Sequence, residues 1–101
     1  MLPVHPRKVV VIITESALEP QLVKDVRRLG AQGYTIADVR GGGKHGDRDN
    51  DWERDRNIRM EVVCDEPTAE AIARHMREVH AQHWAMTILL GDIGVLRPEK
   101  F

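Results

Sequence analysis

The chain has one cysteine, one tyrosine, no excess of either charge and no long apolar run, and each shortage removes a class of function. Cys64 has no second cysteine to pair with, so no internal disulfide staples the fold, and its place in an apolar stretch reads as a small buried hydrophobe. Fifteen Lys and Arg against sixteen Asp and Glu leave a net charge of −1. That balance supplies neither the polyelectrolyte surface that nucleic acid demands nor a patch for anionic membranes. No apolar run approaches the ~18 residues that span a bilayer, and residues 1–7 lack the apolar centre of a signal peptide. The expectation is a cytoplasmic chain with no direct membrane insertion.

What is present suffices for one core. With 42% hydrophobic and 31% charged residues over 101 positions, the chain reads as a single domain, 1–101, with room for one site or one interface. Residues 8–14 (KVVVIIT) are too continuously β-branched for a half-exposed strand and read as a central strand buried on both faces. Residues 15–30 follow as a helix, with Leu22, Val26 and Leu29 on one stripe, Pro20 in the first turn and Gly30 at the C-terminal cap. Residues 34–40 (YTIADVR) and 57–64 (NIRMEVVC) read as two further strands, the second alternating Ile58, Met60 and Val62 with Arg59 and Glu61. Residues 65–67 open a second helix that ends near Gln82, with Ile72, Met76 and Val79 on its apolar stripe. Residues 86–90 (MTILL) are a fourth strand, and Val95-Leu96 a short fifth piece.

The order β-α-β-β-α-β is that of the split βαβ, an α+β ferredoxin-like sandwich with both helices on one face of an antiparallel sheet. Strands one and four are apolar on both sides while the helices shield only one, so the other face needs a cover, and oligomerisation is the simplest.

Between strands two and three lie sixteen polar residues, 41–56, where a hairpin needs about 2–5. Two readings stand. The segment is a solvated tip, or it is a sensing loop whose Gly41-Gly42-Gly43 root lets backbone N–H groups approach an anion, with Lys44 adding charge. The loop is too polar to offset the entropy of ordering, so residues 44–56 are expected to lack structure until a ligand binds at the root. The GGGK run lacks the spacing and hydroxyl of a phosphate-hydrolysing P-loop.

Residues 33–43 (GYTIADVRGGG) resemble the G-x-T-V-x-E-V-x-G-x-G segment leading into the T-loop of PII signal transducers, and residues 59–63 (RMEVV) resemble the strand after that loop. The similarity extends over nearly the whole chain, and from Asn57 onward it is greater to the PII-like proteins of the SbtB and carboxysome-associated PII groups. The resemblance implies a homotrimer that binds an adenine nucleotide between subunits at the root of a T-loop spanning 41–56. It implies Thr35 facing the adenine, backbone amides of Gly41, Gly42 and Gly43 near the nucleotide, Val63 lining the base pocket and Lys44 reaching the phosphates. His83, Trp84 and Ala85 then occupy the place of the B-loop. ADP or AMP is the implied ligand, with bicarbonate as a second one held by Arg40, Gly42, Lys44 and Arg59; no covalent cofactor is implied. The implied partner is a membrane bicarbonate transporter or a carboxysome-linked protein. This sequence departs from the main PII branch twice: Gln82-His83-Trp84-Ala85 replaces a glycine-rich B-loop, and Tyr34, the one tyrosine, precedes the T-loop, which excludes tyrosine uridylylation there.

Rival chemistries are thinner. His75, His80 and His83 lie on or just after helix two, but no Cys or carboxylate completes an evident metal set, so they read as surface or subunit-contact residues. Asp47, Asp49 and Asp51 lack the Gly and Glu of a calcium loop. Trp52 in the polar loop fits a partner contact or packing on its own subunit. No Ser-His-Asp or Cys-His order is present, so no catalytic residue is assigned. The alternative function is a small ferredoxin-like oligomeric enzyme with slow nucleotide hydrolysis or another small-molecule activity.

Overall fold

The computed structural model describes residues 1–43, 46–48 and 56–101. The β-branched run forms the middle of β1 (His5–Glu15), where branched side chains pack well on a pleated surface. A 3₁₀ turn (Ser16–Leu18) leads into α1 (Glu19–Arg28), and β2 (Thr35–Val39) follows. The short strands β3 (Gly41–Gly43) and β4 (Gly46–Arg48) come next, then β5 (Asn57–Cys64) and α2 (Glu66–His75). A π-helical turn (Met76–His80) extends α2, β6 (Thr87–Val95) returns, and a 3₁₀ turn (Pro98–Lys100) closes the described chain.

Four strands lie in the order β2-β5-β1-β6, every neighbouring pair antiparallel, as the ferredoxin-like reading requires. The register sets one face. Val10 stands opposite Val62 and Leu90, and Ile12 opposite Met60 and Ile88. Leu90, on the edge strand, is 49% exposed; the rest of these rows meet Leu18, Leu22 and Val26 from the first helical segment and Ala69, Ile72 and Met76 from the second, in one cluster that also takes in Ile58 and Cys64. Burial pushes the Cys64 thiol up to about 11, helped by nearby Asp65, so it stays protonated and acts as a hydrophobe. Both helices therefore cover the same face. Val9, Val11, Ile13, Val63, Leu89 and Ile93 alternate onto the other face, away from both helices. Leu89 is 49% exposed there, whereas Ile12 and Met60 on the covered face are fully buried.

The helix ends follow local chemistry. Pro20 sits in the first turn of α1, and Gly30 beyond its end takes φ +111, a left-handed conformation that a side chain would strain. Asp65 caps α2 by accepting the Thr68 N–H at 3.0 Å. The hydrogen bonds from the Thr68 side chain and backbone hold the Asp65 carboxyl below its usual range.

Four boundaries depart from the sequence expectation. Helix one begins at Glu19 rather than Glu15, because Glu15 still pairs with Asn57 and the Ser16 N–H bonds to the Arg56 carbonyl at 2.8 Å. Helix two turns from α to π at Met76, where the Ala81 N–H bonds to the Met76 carbonyl five residues back at 2.9 Å. The fourth strand runs on from Thr87 through Val95 and takes in the first residue of the separate piece, while Leu96 lies beyond it. Gly91 and Gly94 stay in the ladder opposite Val9 and Pro6 of β1, and β6 ends at Val95. Finally, residues 46–48 were expected to lack structure but pair with 41–43, Gly41 opposite Arg48 and Gly42 opposite Asp47. Lys44, Asp49, Asp51 and Trp52 lie outside the described residues.

Candidate functional site

The loop root stands at one end of the sheet. β2 stops at Val39 opposite Asn57, Arg40 follows, and the ribbon of β3 and β4 begins at Gly41. The returning chain is fixed at Arg56 by the bond from Ser16. A Cβ added at Gly41 would meet nothing within 4 Å, and its φ is not positive. The subunit's own packing therefore does not require glycine at 41, and its bare backbone is open to approach by another group.

Thr35 opens β2 and is exposed. Just before it, Arg27 stacks over the Tyr34 ring at 5.3 Å and ties the entry of β2 to α1. Thr35 stands opposite Glu61, whose other neighbour is Val11. It therefore lies on the uncovered face, and Val63, two residues along β5, is its diagonal neighbour at about 7–8 Å. Arg59, opposite Ala37, is on the same face and donates from Nε to Glu61 Oε2 at 2.9 Å. Of the set expected to hold bicarbonate, Arg59 is thus engaged locally, Arg40 and Gly42 stand at the root, and Lys44 lies outside the described residues.

The segment from His83 to Ala85 sits at the same end of the sheet but on the helix side. The N–H groups of His83 and Trp84 both bond to the His80 carbonyl at 3.0 Å, Trp84 packs against the core, and His83 is exposed. The Ala85 carbonyl accepts from the buried Thr14 hydroxyl at 2.9 Å. Within one chain, then, Thr35 and Val63 face one way and His83–Ala85 the other. A separate groove of about 370 Å³ between α2 and β6 is lined by Glu70, Ala73, Arg74, Arg77, Ile88 and Leu90. A ligand touching both the uncovered face and the loop root needs a further wall, which a second copy packed on that face would supply.

One constellation was missed in the sequence. Asp25 of α1 is buried and accepts from His80 Nε2 at 2.6 Å and from His75 Nε2 at 3.0 Å on Oδ2, and from Gln21 Nε2 at 2.9 Å on Oδ1. Burial pushes this carboxyl up, but the hydrogen bonds from His80, Gln21 and His75 outweigh it and leave it below its ordinary value. The reading of His75, His80 and His83 as surface or subunit-contact residues, with no carboxylate to complete a set, is corrected: His80 is buried, and α1 brings the carboxylate. The usable signal was an aspartate on the apolar stripe of Leu22, Val26 and Leu29, which burial obliges to find partners. The five-residue spacing of the histidines conveyed nothing, because it places them together only across a π turn.

The profile of the family Nitrogen regulatory protein P-II matches residues 7–100. Among solved structures, a PII-like signaling protein from Thermus thermophilus is 40% identical, with 99% of each chain covered and a TM-score of 0.85. CPII from Thiomonas intermedia, bound to ADP and bicarbonate, is 25% identical over 100% of this chain and 99% of its own, with a TM-score of 0.87. GlnK of B. subtilis in complex with ATP shares the fold at 17% identity, covering 95% of this chain and 98% of its own, with a TM-score of 0.68. Comparison with curated protein sequences returns no significant match. No helix among the described residues is long and apolar enough to cross a membrane.

Proposed function

The chain belongs to the nitrogen regulatory protein P-II family, and from that premise we propose that it is a PII-like regulator that binds ADP or AMP between copies of itself. The observation that carries this reading is its similarity, over the full chain, to CPII bound to ADP and bicarbonate. The geometry agrees in kind. Thr35 and Val63 present a small hydroxyl and an apolar surface to an adenine, and Gly41–Gly43 offer backbone amides to the phosphates from the adjoining root. Lys44 follows that root directly and adds the cation. His83, Trp84 and Ala85 contribute from the B-loop position, without the glycines that would wrap a triphosphate.

The subunit supplies these groups on two faces, so the site closes only in an assembly. The row of half-buried Val9 and Ile13 and exposed Leu89 is the contact for a homotrimer, because burying such apolar surface is favoured at about 25 cal/mol per Å². Bicarbonate is the second ligand, held by Arg40, Gly42, Lys44 and Arg59; the Glu61 bond engages Arg59 through Nε, and the guanidinium carries further donors. The β3–β4 ribbon carries the loop that reports occupancy to a cytoplasmic carboxysome-linked protein or to a membrane bicarbonate transporter. The test is titration calorimetry with AMP, ADP, ATP and cyclic AMP, with and without bicarbonate. Saturable binding of ADP or AMP, tightened by bicarbonate, is expected, and coupling must appear reciprocally in both affinities. If no nucleotide binds below about millimolar, the reading fails. Unchanged nucleotide in the recovered mixture separates binding from hydrolysis.

A further inference from the structure

The buried polar knot between α1 and α2 has the make-up of a metal site. Asp25 and His80 are 4% and 8% exposed, and His75 closes the outer side with its side chain 19% exposed. One ligand atom from each lies within 4.8 Å of the other two. Both Nε2 atoms address the same oxygen, Oδ2 of Asp25, while Gln21 holds Oδ1 from the other side. The two imidazoles meet edge to face, with ring centroids 5.3 Å apart and planes at 79°, so their nitrogens converge from different directions. This convergence requires the π turn, since residues five apart diverge on an α-helix surface.

We propose that Asp25, His75 and His80 bind a divalent transition ion of the zinc class, with water completing the coordination. Two imidazole nitrogens and one carboxylate oxygen suit zinc, and they do not suit magnesium or calcium, which take oxygen ligands. Zinc bonds of about 2.0–2.2 Å around one centre leave donors roughly 3 Å or a little more apart. The present spacing reaches that by small side-chain rotations. An ionised carboxylate accepts only, so each Nε2 now carries the proton of its hydrogen bond. Moving that proton to Nδ1 frees the Nε2 lone pair while both rings stay neutral, giving three ligands with one net negative charge. Gln21 then acts as the outer partner that orients the carboxylate. Arg28, 3.8 Å from Oδ1 and largely exposed, lies on the side of the carboxylate away from the ion. His75 is the outermost ligand, so the ion enters past it and its water stands there.

The experiment is equilibrium dialysis and calorimetry of the full chain with ZnCl₂, with CoCl₂ as an absorbing probe. The expected result is one zinc per chain, at least about tenfold weaker in His75→Gln and His80→Gln, unchanged in His83→Gln, with cobalt ligand-field bands that vanish in His75→Gln. MgCl₂ should give no binding. Because Asp25 and His80 are buried, their variants can fail to fold. His75, at the rim, is the variant that decides, and circular dichroism checks its fold. No zinc binding, binding undiminished in His75→Gln, or equal loss in His83→Gln would each overturn the proposal.

Discussion

The two faces of the sheet are made of the same strands and differ in what covers them. On the covered face Val10, Ile12, Ile58, Met60 and Val62 are completely buried under two helices. On the other, Leu89 is half exposed, and Thr35 and Arg59 stand among apolar neighbours. The covered face holds the subunit together. The uncovered face carries the polar groups that the proposed assembly and ligand would use.

The contrast breaks most visibly in the core. Ile12→Ala removes a fully buried side chain and should cost about 2–5 kcal/mol of stability, read by urea unfolding at fixed protein concentration. Leu89→Asp alters only the uncovered face. It should leave the far-ultraviolet spectrum intact while light scattering falls from three times 11.5 kDa to that monomer mass. A trimer surviving that charge would mean that the face is not the interface. Gly41→Ala sharpens the comparison at the ligand site: a Cβ there has open space, so stability should move by less than about 0.5 kcal/mol while ADP binds about tenfold or more weakly.

The smallest effect is at the Asp65 cap. Its folded carboxyl is held below the ordinary 3.8, so the unfolded chain takes up the proton first as pH falls. The stabilisation is present above the unfolded value and is lost as pH drops through the folded one. Asp65→Asn keeps a capping side chain and should flatten stability below about pH 4, with little change at neutral pH. A wild-type acid slope unchanged by the substitution would remove the cap from the account.

Much of the fold was legible because its signals are local. The continuous run at 8–14 named the central strand, and alternation at 57–64 named its neighbour. The strand Thr87–Val95 was read as two pieces because its apolar residues are interrupted by Gly91, Asp92 and Gly94, although the ladder to β1 runs through all three. The π turn was invisible, since Met76–His80 continues an ordinary helical pattern, and with it went the meeting of His75, His80 and Asp25. Gly41–Gly43 and Lys44 were named from their place at the root of a long polar loop, and Thr35, Val63 and His83–Ala85 through resemblance. Their placement on two faces of one subunit could not be read from spacing, because it depends on strand register and on where the chain turns at Ala85.

Whether the nucleotide is held between copies is decided by ADP titration of the wild type beside the Leu89→Asp monomer. Leu89 is on the far edge strand from Thr35, about 14 Å across the sheet, outside the nucleotide-binding set within its own subunit. Saturable ADP binding, about one per chain, is expected in a wild-type trimer, and loss of that binding in the folded monomer. Equal ADP affinity in the monomer, or a wild type that binds ADP at the mass of one chain, would contradict it.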